Sequence, residues 1–459
     1  MYRKKRNIHF VGIGGMGMSG IAEVLLTLGH GVSGSDLRES PATERLRGLG
    51  ARIFKGHDGA LVEGADVVVV SSAVSDDNPE VTEARRLRVP VIPRAEMLGE
   101  LMRIKTSIAV AGSHGKTSTC SLVGMILTEG GLDPTLVIGG KVKNLGVNAR
   151  LGQGEFLVAE ADESDGSFLL LSPTITVVTN IDREHLNYYG NLNRLKETFL
   201  TFANKVPFYG VSILCLDDPE VQSLIPRVKK RFVTYGLSSQ STVTAKNISR
   251  EEWGHSFDLV VQGASKGRLK VNLPGTHNVL NALAAAAVAL EMGVGFESLR
   301  VGIEKLQGVG RRFEKKGETG GVTILDDYGH HPTEIRATLS ALSDTFPERR
   351  KVVLFQPHRH TRTKDLFDDF VTSFNQADRL WISAIYPAGE EPFPGVDAES
   401  LSEAIRSHGH SFVEYGGDVG ELADKVMGDT REGDVILTLG AGNIWEAGEE
   451  IFSRLRGKR

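Results

Sequence analysis

The sequence predicts an α/β protein of three successive domains, each built on a mostly parallel sheet. Three observations carry that expectation. The chain has 459 residues, which at about 150 residues per domain divides into three units large enough to bury cores of their own. Short, wholly apolar runs such as residues 67–70 and 156–159 alternate with stretches of helical spacing, and strands that are apolar on both sides belong to parallel sheets covered on both faces. Glycine supplies 53 residues, about 11.5% against an average of about 7%, and many glycines stand where an apolar run ends.

The first domain is expected over residues 1–105. Residues 8–13 form an apolar run ending in glycines, residues 19–28 have helical spacing, and residues 31–35 lead into Asp36. This is a strand–loop–helix–strand unit, Rossmann-like in pattern. The run 67–70 is a second buried strand that ends at Ser71 and Ser72. The second domain is expected over 106–309. A strand at 107–111 enters a glycine loop and then an apolar helix at 119–127, and buried strands follow at 156–159 and 175–179. After a more polar stretch at 238–266, the alanine-rich residues 278–290 have high helix propensity. The third domain, 310–459, has strands at 322–325, 352–356, 380–382 and 435–439 with helical segments between them, again a Rossmann-like pattern.

Composition excludes several function classes. Lys and Arg number 53 against 58 Asp and Glu, a formal charge of −5, so there is no basic excess to attract nucleic acid or an anionic membrane. No apolar run reaches the 18 or so residues of a membrane span. Cys120 and Cys215 are the two cysteines, far apart and outside any CxxC spacing, which excludes a disulfide framework and a thiolate zinc site and points to a reducing cytoplasm. The basic start, residues 1–6, resembles a signal peptide in charge, but residues 8–18 are broken by four glycines and read as a first strand and its loop. Small-molecule partners are expected, with the chain a monomer or homodimer.

Gly112, Ser113, His114, Gly115, Lys116, Thr117 and Ser118 lie between an apolar strand and a helix. There, bare backbone N–H groups converge and the helix N-terminus adds partial positive charge, a cradle for phosphates. Lys116 is expected to neutralise the β- and γ-phosphates of ATP, and the Thr117 hydroxyl to ligate Mg²⁺ or Mn²⁺. The match is to a shortened P-loop, since the position five before Gly115 is Val110 rather than glycine. An acidic run, Glu160, Asp162, Glu163 and Asp165, follows the strand at 156–159, and Glu160, nearest the strand end, is the expected metal ligand. The strand at 175–179 delivers Asn180, Asp182, Glu184 and His185, with His185 the candidate ligand from that edge.

Two further constellations are expected to bind substrates. Gly12, Gly14, Gly15 and Gly17 fit G-x-G-x-x-G, with Asp36 24 residues beyond Gly12 in place for a ribose. The pattern requires only close approach of backbone to a pyrophosphate, so any nucleotide diphosphate satisfies it. In the third domain Tyr328, His330 and His331 follow one strand, and His358, Arg359, His360 and Arg362 follow another. Arginines three apart can grip a carboxylate by paired hydrogen bonds, so this is an expected site for an anionic or amino-acid substrate.

Taken together, these segments resemble the Mur ligase family along essentially the whole chain: HFVGIGGMGMSGIAEVL at 9–25, AGSHGKTS at 111–118, AEADESDGSF at 159–168, TNIDREHL at 179–186, PGTHNVLNALAA at 274–285, GVGRRFE at 308–314, DDYGHHPTEI at 326–335 and QPHRHTRT at 356–363. The double-histidine and paired-arginine segments make the alanine-adding member the most similar. The resemblance implies an ATP-dependent ligase that joins L-alanine to UDP-N-acetylmuramate for peptidoglycan synthesis. It further implies that Asn278 and Asn281 contact adenine and that Arg312 reaches the nucleotide. Thr117, Glu160 and His185 would surround magnesium, and Tyr328, His330, Arg359 and Arg362 would line the alanine site. Gly12, Gly14, Gly15, Gly17, Asp36, Ser71 and Ser72 would hold the UDP-sugar. One departure is His360, where the family more often has tyrosine.

The implied mechanism follows from charge. A lactyl carboxylate must attack the γ-phosphate of ATP, anion against anion, and Lys116 with the metal removes that repulsion. The acyl phosphate is then open to a neutral amine, with His330 as base or amine-positioning group and Arg359 and Arg362 on the carboxylate. Closure of the third domain would exclude water. The alternatives are a nicotinamide-dependent oxidoreductase built on the first glycine loop, a regulatory ATPase, and a recycling ligase of the same family that attaches a tripeptide.

Overall fold

The computed structural model describes residues 5–71, 73–138 and 149–457. Ser72, expected at the UDP-sugar site, lies outside the described residues. Three sheets organise the chain. The first comprises β1 (Asn7–Val11), β2 (Gly31–Asp36), β3 (Arg52–Lys55), β4 (Val67–Val70) and β5 (Val91–Pro93) in the order β3-β2-β1-β4-β5, all parallel. The reversal of strand order beside β1 opens a crevice at the carboxyl ends of β1 and β4, where sheets of this kind take ligands.

The second sheet has ten strands: β6 (Thr106–Ala111), β7 (Thr135–Val137), β8 (Ala149–Arg150), β9 (Phe156–Glu160), β10 (Ile175–Val178), β11 (Val211–Cys215), β12 (Phe232–Gly236), β13 (Val243–Glu251), β14 (Gly254–Val261) and β15 (Ala264–Val271). Their order is β15-β14-β13-β12-β11-β10-β6-β9-β7-β8. The strands from β12 to β9 run parallel through the buried centre, where β10 and β11 are covered at every position. The polar stretch read without strands holds β13 to β15. Only the first three residues of β13 are buried, so the rest of its sequence carries the polarity of a solvated strand instead of a buried run.

The third sheet comprises β16 (Glu314–Thr319), β17 (Val322–Asp327), β18 (Lys351–Phe355), β19 (Arg379–Ser383), β20 (Val413–Gly417) and β21 (Val435–Leu439), ordered β16-β17-β21-β18-β19-β20 with β16 antiparallel to β17. Its strands alternate between two buried layers. Leu325, Val353, Phe355, Leu380 and Leu437 pack on one face, and Ile324, Val352, Leu354, Trp381 and Ile436 on the other. This is the period-two signature of a sheet clothed by helices on both sides.

The chain folds as two compact units. One takes in the chain through Ile248 with Phe257–Lys270 and Leu280–Leu306; the other holds Ser249–Ser256, Val271–Val279 and the chain from Gln307 onward. Within the first unit a continuous core joins the first two sheets, from Phe10 and Ile21 through Leu98 to Phe168, Phe199 and Phe202. Gly99 permits that junction: a Cβ there would stand 2.6 Å from the Leu170 carbonyl oxygen. Both cysteines are buried and free. No helix among the described residues is long and apolar enough to cross a membrane.

Candidate active site

The loop between β6 and the helix Lys116–Glu129 is built from below by the segment leaving β10. Asn180 accepts from the Ser113 N–H through its carbonyl (3.1 Å) and from the His114 N–H through Oδ1 (2.8 Å), and its Nδ2 donates to the His114 carbonyl (3.0 Å). The Asp182 N–H donates to Ser113 Oγ (2.8 Å), and His114 Nε2 meets Asp182 Oδ2 at 2.9 Å. Gly112 has φ of +138°, and a Cβ there would lie 1.9 Å from Thr179 Oγ1. Gly115 has φ of +82° and faces Asn281 Oδ1 at 2.6 Å in the same sense. Only glycine fits either position. The helix that follows offers its first-turn N–H groups, which no helical carbonyl can satisfy, to an anion.

Lys116 Nζ donates to the carbonyls of Gly112 (2.5 Å) and Ser113 (3.2 Å) and to Glu163 Oε1 (2.8 Å). Burial opposes its charge, but Glu163, Glu184 and Glu160 outweigh that cost and hold its pKa above the ordinary lysine value. Burial pushes the Glu163 carboxyl up to about 7 although the Lys116 ammonium pulls it down. Glu163, Glu184 and His185 offer ligand atoms within 4.8 Å of one another. Of the expected metal ligands, His185 belongs to this cluster. Glu160 Oε1 and Glu163 Oε2 are buried and accept no hydrogen bond from any described residue. Thr117 is buried in the first helical turn. Spacing pointed to Glu160 within the acidic run; the turn after β9 aims Glu163 at the lysine as well, which strand position alone could not reveal.

At the first glycine loop, the N–H groups of Gly12 and Ile13 donate to the Ser35 carbonyl at 2.9 and 3.0 Å, and Gly14 donates to Asp36 Oδ2 at 2.8 Å. Asp36 therefore shapes the loop itself. A Cβ on Gly12 would lie 3.3 Å from Ser71 Oγ, which puts Ser71 against the loop, and one on Gly17 would lie 3.0 Å from the Arg94 guanidinium. Gly15 starts the helix Met16–Thr27 as its N-cap. Asn281, expected at adenine, also accepts from Thr119 Oγ1 (3.2 Å). In the second unit Asn278 Nδ2 donates to the Pro274 carbonyl (2.7 Å).

Within that second unit the residues expected around an amino acid do converge. His330 Nδ1 lies 3.1 Å from the Tyr328 carbonyl. A carbonyl can only accept, so Nδ1 donates this bond, which fixes the ring orientation. Glu334 accepts from the His330 and His331 N–H groups (3.0 and 3.3 Å) and stands 3.6 Å from Arg312. The Arg312 guanidinium lies 5.3 Å from the Tyr328 ring centre. The His330 ring faces His358 at 5.7 Å, and Arg362 Nη1 donates to His358 Nδ1 at 3.1 Å. Burial, then the positive charge of His330, Arg362 and Arg359, drives His358 down to about 3. His358 is thus a neutral acceptor for Arg362, a role that its position in the motif did not disclose. Arg359 itself sits at φ of +70° and ψ of 136°, strained for a side chain with a Cβ.

Comparison with known proteins accounts for this arrangement along the chain. Residues 7–106 match the Mur ligase family catalytic domain, 110–289 the Mur ligase middle domain and 311–442 the Mur ligase glutamate ligase domain. A UDP-N-acetylmuramate–L-alanine ligase of Trichlorobacter lovleyi is 58% identical over 456 residues, covering 99% of this chain and 100% of that protein. One from Geobacter sulfurreducens is 58% identical over 460 residues, covering all of both. The crystal structure of a UDP-N-acetylmuramate-alanine ligase from Thermotoga maritima superposes with a TM-score of 0.83 at 30% identity, covering 99% of this chain and 100% of that one.

Proposed function

The chain belongs to the Mur ligase family, and from that membership we propose that it joins L-alanine to UDP-N-acetylmuramate at the expense of ATP, in peptidoglycan precursor synthesis. One observation carries the reading: a lysine-bearing phosphate loop and an arginine-bearing carboxylate site occur in one chain, with 58% identity to alanine-adding ligases running through both. The alternatives fail on the same ground. An oxidoreductase leaves the Lys116 loop without a task, a regulatory ATPase leaves the third sheet without one, and the relatives that are 58% identical over the full chain carry the alanine-adding name.

ATP binds with its triphosphate along Gly112, Ser113, His114, Gly115, Lys116, Thr117 and Ser118. Lys116, a cation fixed by three acceptors, lowers the repulsion between the lactyl carboxylate and the γ-phosphate and steadies the in-line transition state. The donor set fits a hard divalent cation: two buried carboxylate oxygens, at Glu160 and Glu163, that accept no hydrogen bond from the described residues, and a hydroxyl at Thr117. Thr117, Glu160 and His185, joined by Glu163 and Glu184, would hold magnesium or manganese there. When bound, the ion supplies positive charge against the phosphates. Asn278, Asn281 and Arg312 serve the nucleotide, and the Gly12–Gly17 loop with Asp36, Ser71 and Ser72 the UDP-sugar.

The carboxylate oxygen bonds to γ-phosphorus as the bond to the β,γ-bridging oxygen breaks, and ADP leaves. The alanine amine then adds to the acyl carbon and phosphate departs. His330 Nε2 takes the amine proton, Arg359 and Arg362 hold the alanine carboxylate, and the Tyr328 ring borders it. We place the reaction in the cytoplasm, where ATP and reduced thiols prevail. Replacement of Lys116 tests the reading. Lys116→Ala is expected to slow ADP formation by about 10³-fold while the affinity for UDP-N-acetylmuramate holds, and retained turnover would remove the loop from the mechanism.

A further inference from the structure

The loop that follows β19 contacts Arg359 directly and meets Arg362 through His358. Glu390 accepts from the Thr361 N–H through Oε2 (2.9 Å) and from the Thr361 hydroxyl through Oε1 (2.8 Å), and Oε1 stands 3.6 Å from Arg359 Nη1. The Tyr386 carbonyl accepts from the Arg359 N–H (2.8 Å), and the Tyr386 ring stacks on His358 at 5.5 Å and 7°. His358 in turn accepts from Arg362. Thr361 lies in the first turn of the short helix His360–Asp365, whose N-cap is Arg359 itself, in a backbone conformation that L-residues rarely adopt and with no side-chain cap of its own. Strain of that kind persists only where surrounding contacts over-determine it.

We propose that Glu390 is a positioning residue for amino-acid recognition: it pins Thr361 and the Arg359 guanidinium together, so that Arg359 meets the substrate carboxylate without reorganising. The inference rests on the function proposed above and adds to it a residue about thirty positions beyond the arginine motif. Holding an arginine fork in one geometry before the ligand arrives removes side-chain entropy from the cost of binding. The negative charge of Glu390 does not close the site to a carboxylate. Both its oxygens are engaged by Thr361, and Arg359 keeps donors beyond the one facing Glu390.

The test is steady-state kinetics of the full-length enzyme with ATP, UDP-N-acetylmuramate and L-alanine each titrated in turn. Glu390→Ala is expected to raise the alanine KM at least about tenfold, with kcat within about threefold and the KM values for ATP and UDP-N-acetylmuramate within about twofold. Glu390→Gln, which keeps an acceptor for Thr361 but loses the charge beside Arg359, is expected to fall between wild type and Glu390→Ala. In an Arg359→Ala background, Glu390→Ala is expected to change the alanine kcat/KM by less than about twofold, because the group it positions is gone. An unmoved alanine KM, or effects that multiply in the double variant, would overturn the proposal. If Glu390→Ala does not fold, Glu390→Gln decides by the same two criteria. Wild-type turnover with alanine separates the questions: its absence refutes the proposed function, and its presence with unmoved variants refutes only the role of Glu390.

Discussion

Lys116 and His358 show how single residues take their roles from neighbours. The Lys116 ammonium keeps its charge in a buried loop because Glu163 touches it; His358 loses any charge because burial and the positive groups beside it forbid one. The second case has a measurable sign. An unfolded histidine takes up a proton near 6.5, whereas folded His358 does not until about 3, so its contribution to stability is present above 6.5 and is lost as pH falls from there toward 3. Thermal unfolding of wild type and His358→Asn should therefore show a wild-type advantage that narrows by about 2–4 °C between about pH 7.5 and 4.5; a constant difference would mean His358 titrates alike in both states. At this scale the sequence was legible where chemistry is local. Lys116 was identifiable because a glycine loop, a strand and a helix surround it in order. Glu163 was one carboxylate among several in a run, and Glu390 has no motif near it, since what makes each matter is a turn that brings distant chain together.

The phosphate loop is an element that cannot form alone. Asn180 and Asp182, which leave β10, make five of its hydrogen bonds, and Thr179 occupies the space that a side chain on Gly112 would need. Gly112→Ala is accordingly expected to displace the loop from its scaffold, lowering the melting temperature by about 2–4 °C and weakening ATP binding more than about tenfold. Calorimetry and nucleotide titration check both, and an unchanged ATP affinity would show that the loop tolerates the shift. The central strands were readable because parallel strands buried on both faces must be apolar throughout. β13 and β15 were not: half-solvated strands spread their few buried residues among polar ones, and a short window there resembles a loop.

Across the whole molecule, the proposed function divides the work between two residue clusters. One, in the first compact unit, gathers a lysine and carboxylates at the end of a ten-stranded sheet; the other, in the second, gathers arginines and histidines at the ends of β17 and β18. The order of motifs predicted three sheets, and three are present among the described residues. Less readable was the continuous core that fuses the first two sheets into a single unit, because contacts such as Gly99 against Leu170 leave no mark in local spacing. The central claim is that phosphoryl transfer in the first unit is committed to forming a bond with the amine held by the second. Phosphate release from ATP measures it directly, with UDP-N-acetylmuramate present and L-alanine supplied or withheld. The account predicts sustained release only when both are present, with one alanine incorporated per phosphate; equal release without alanine would contradict it.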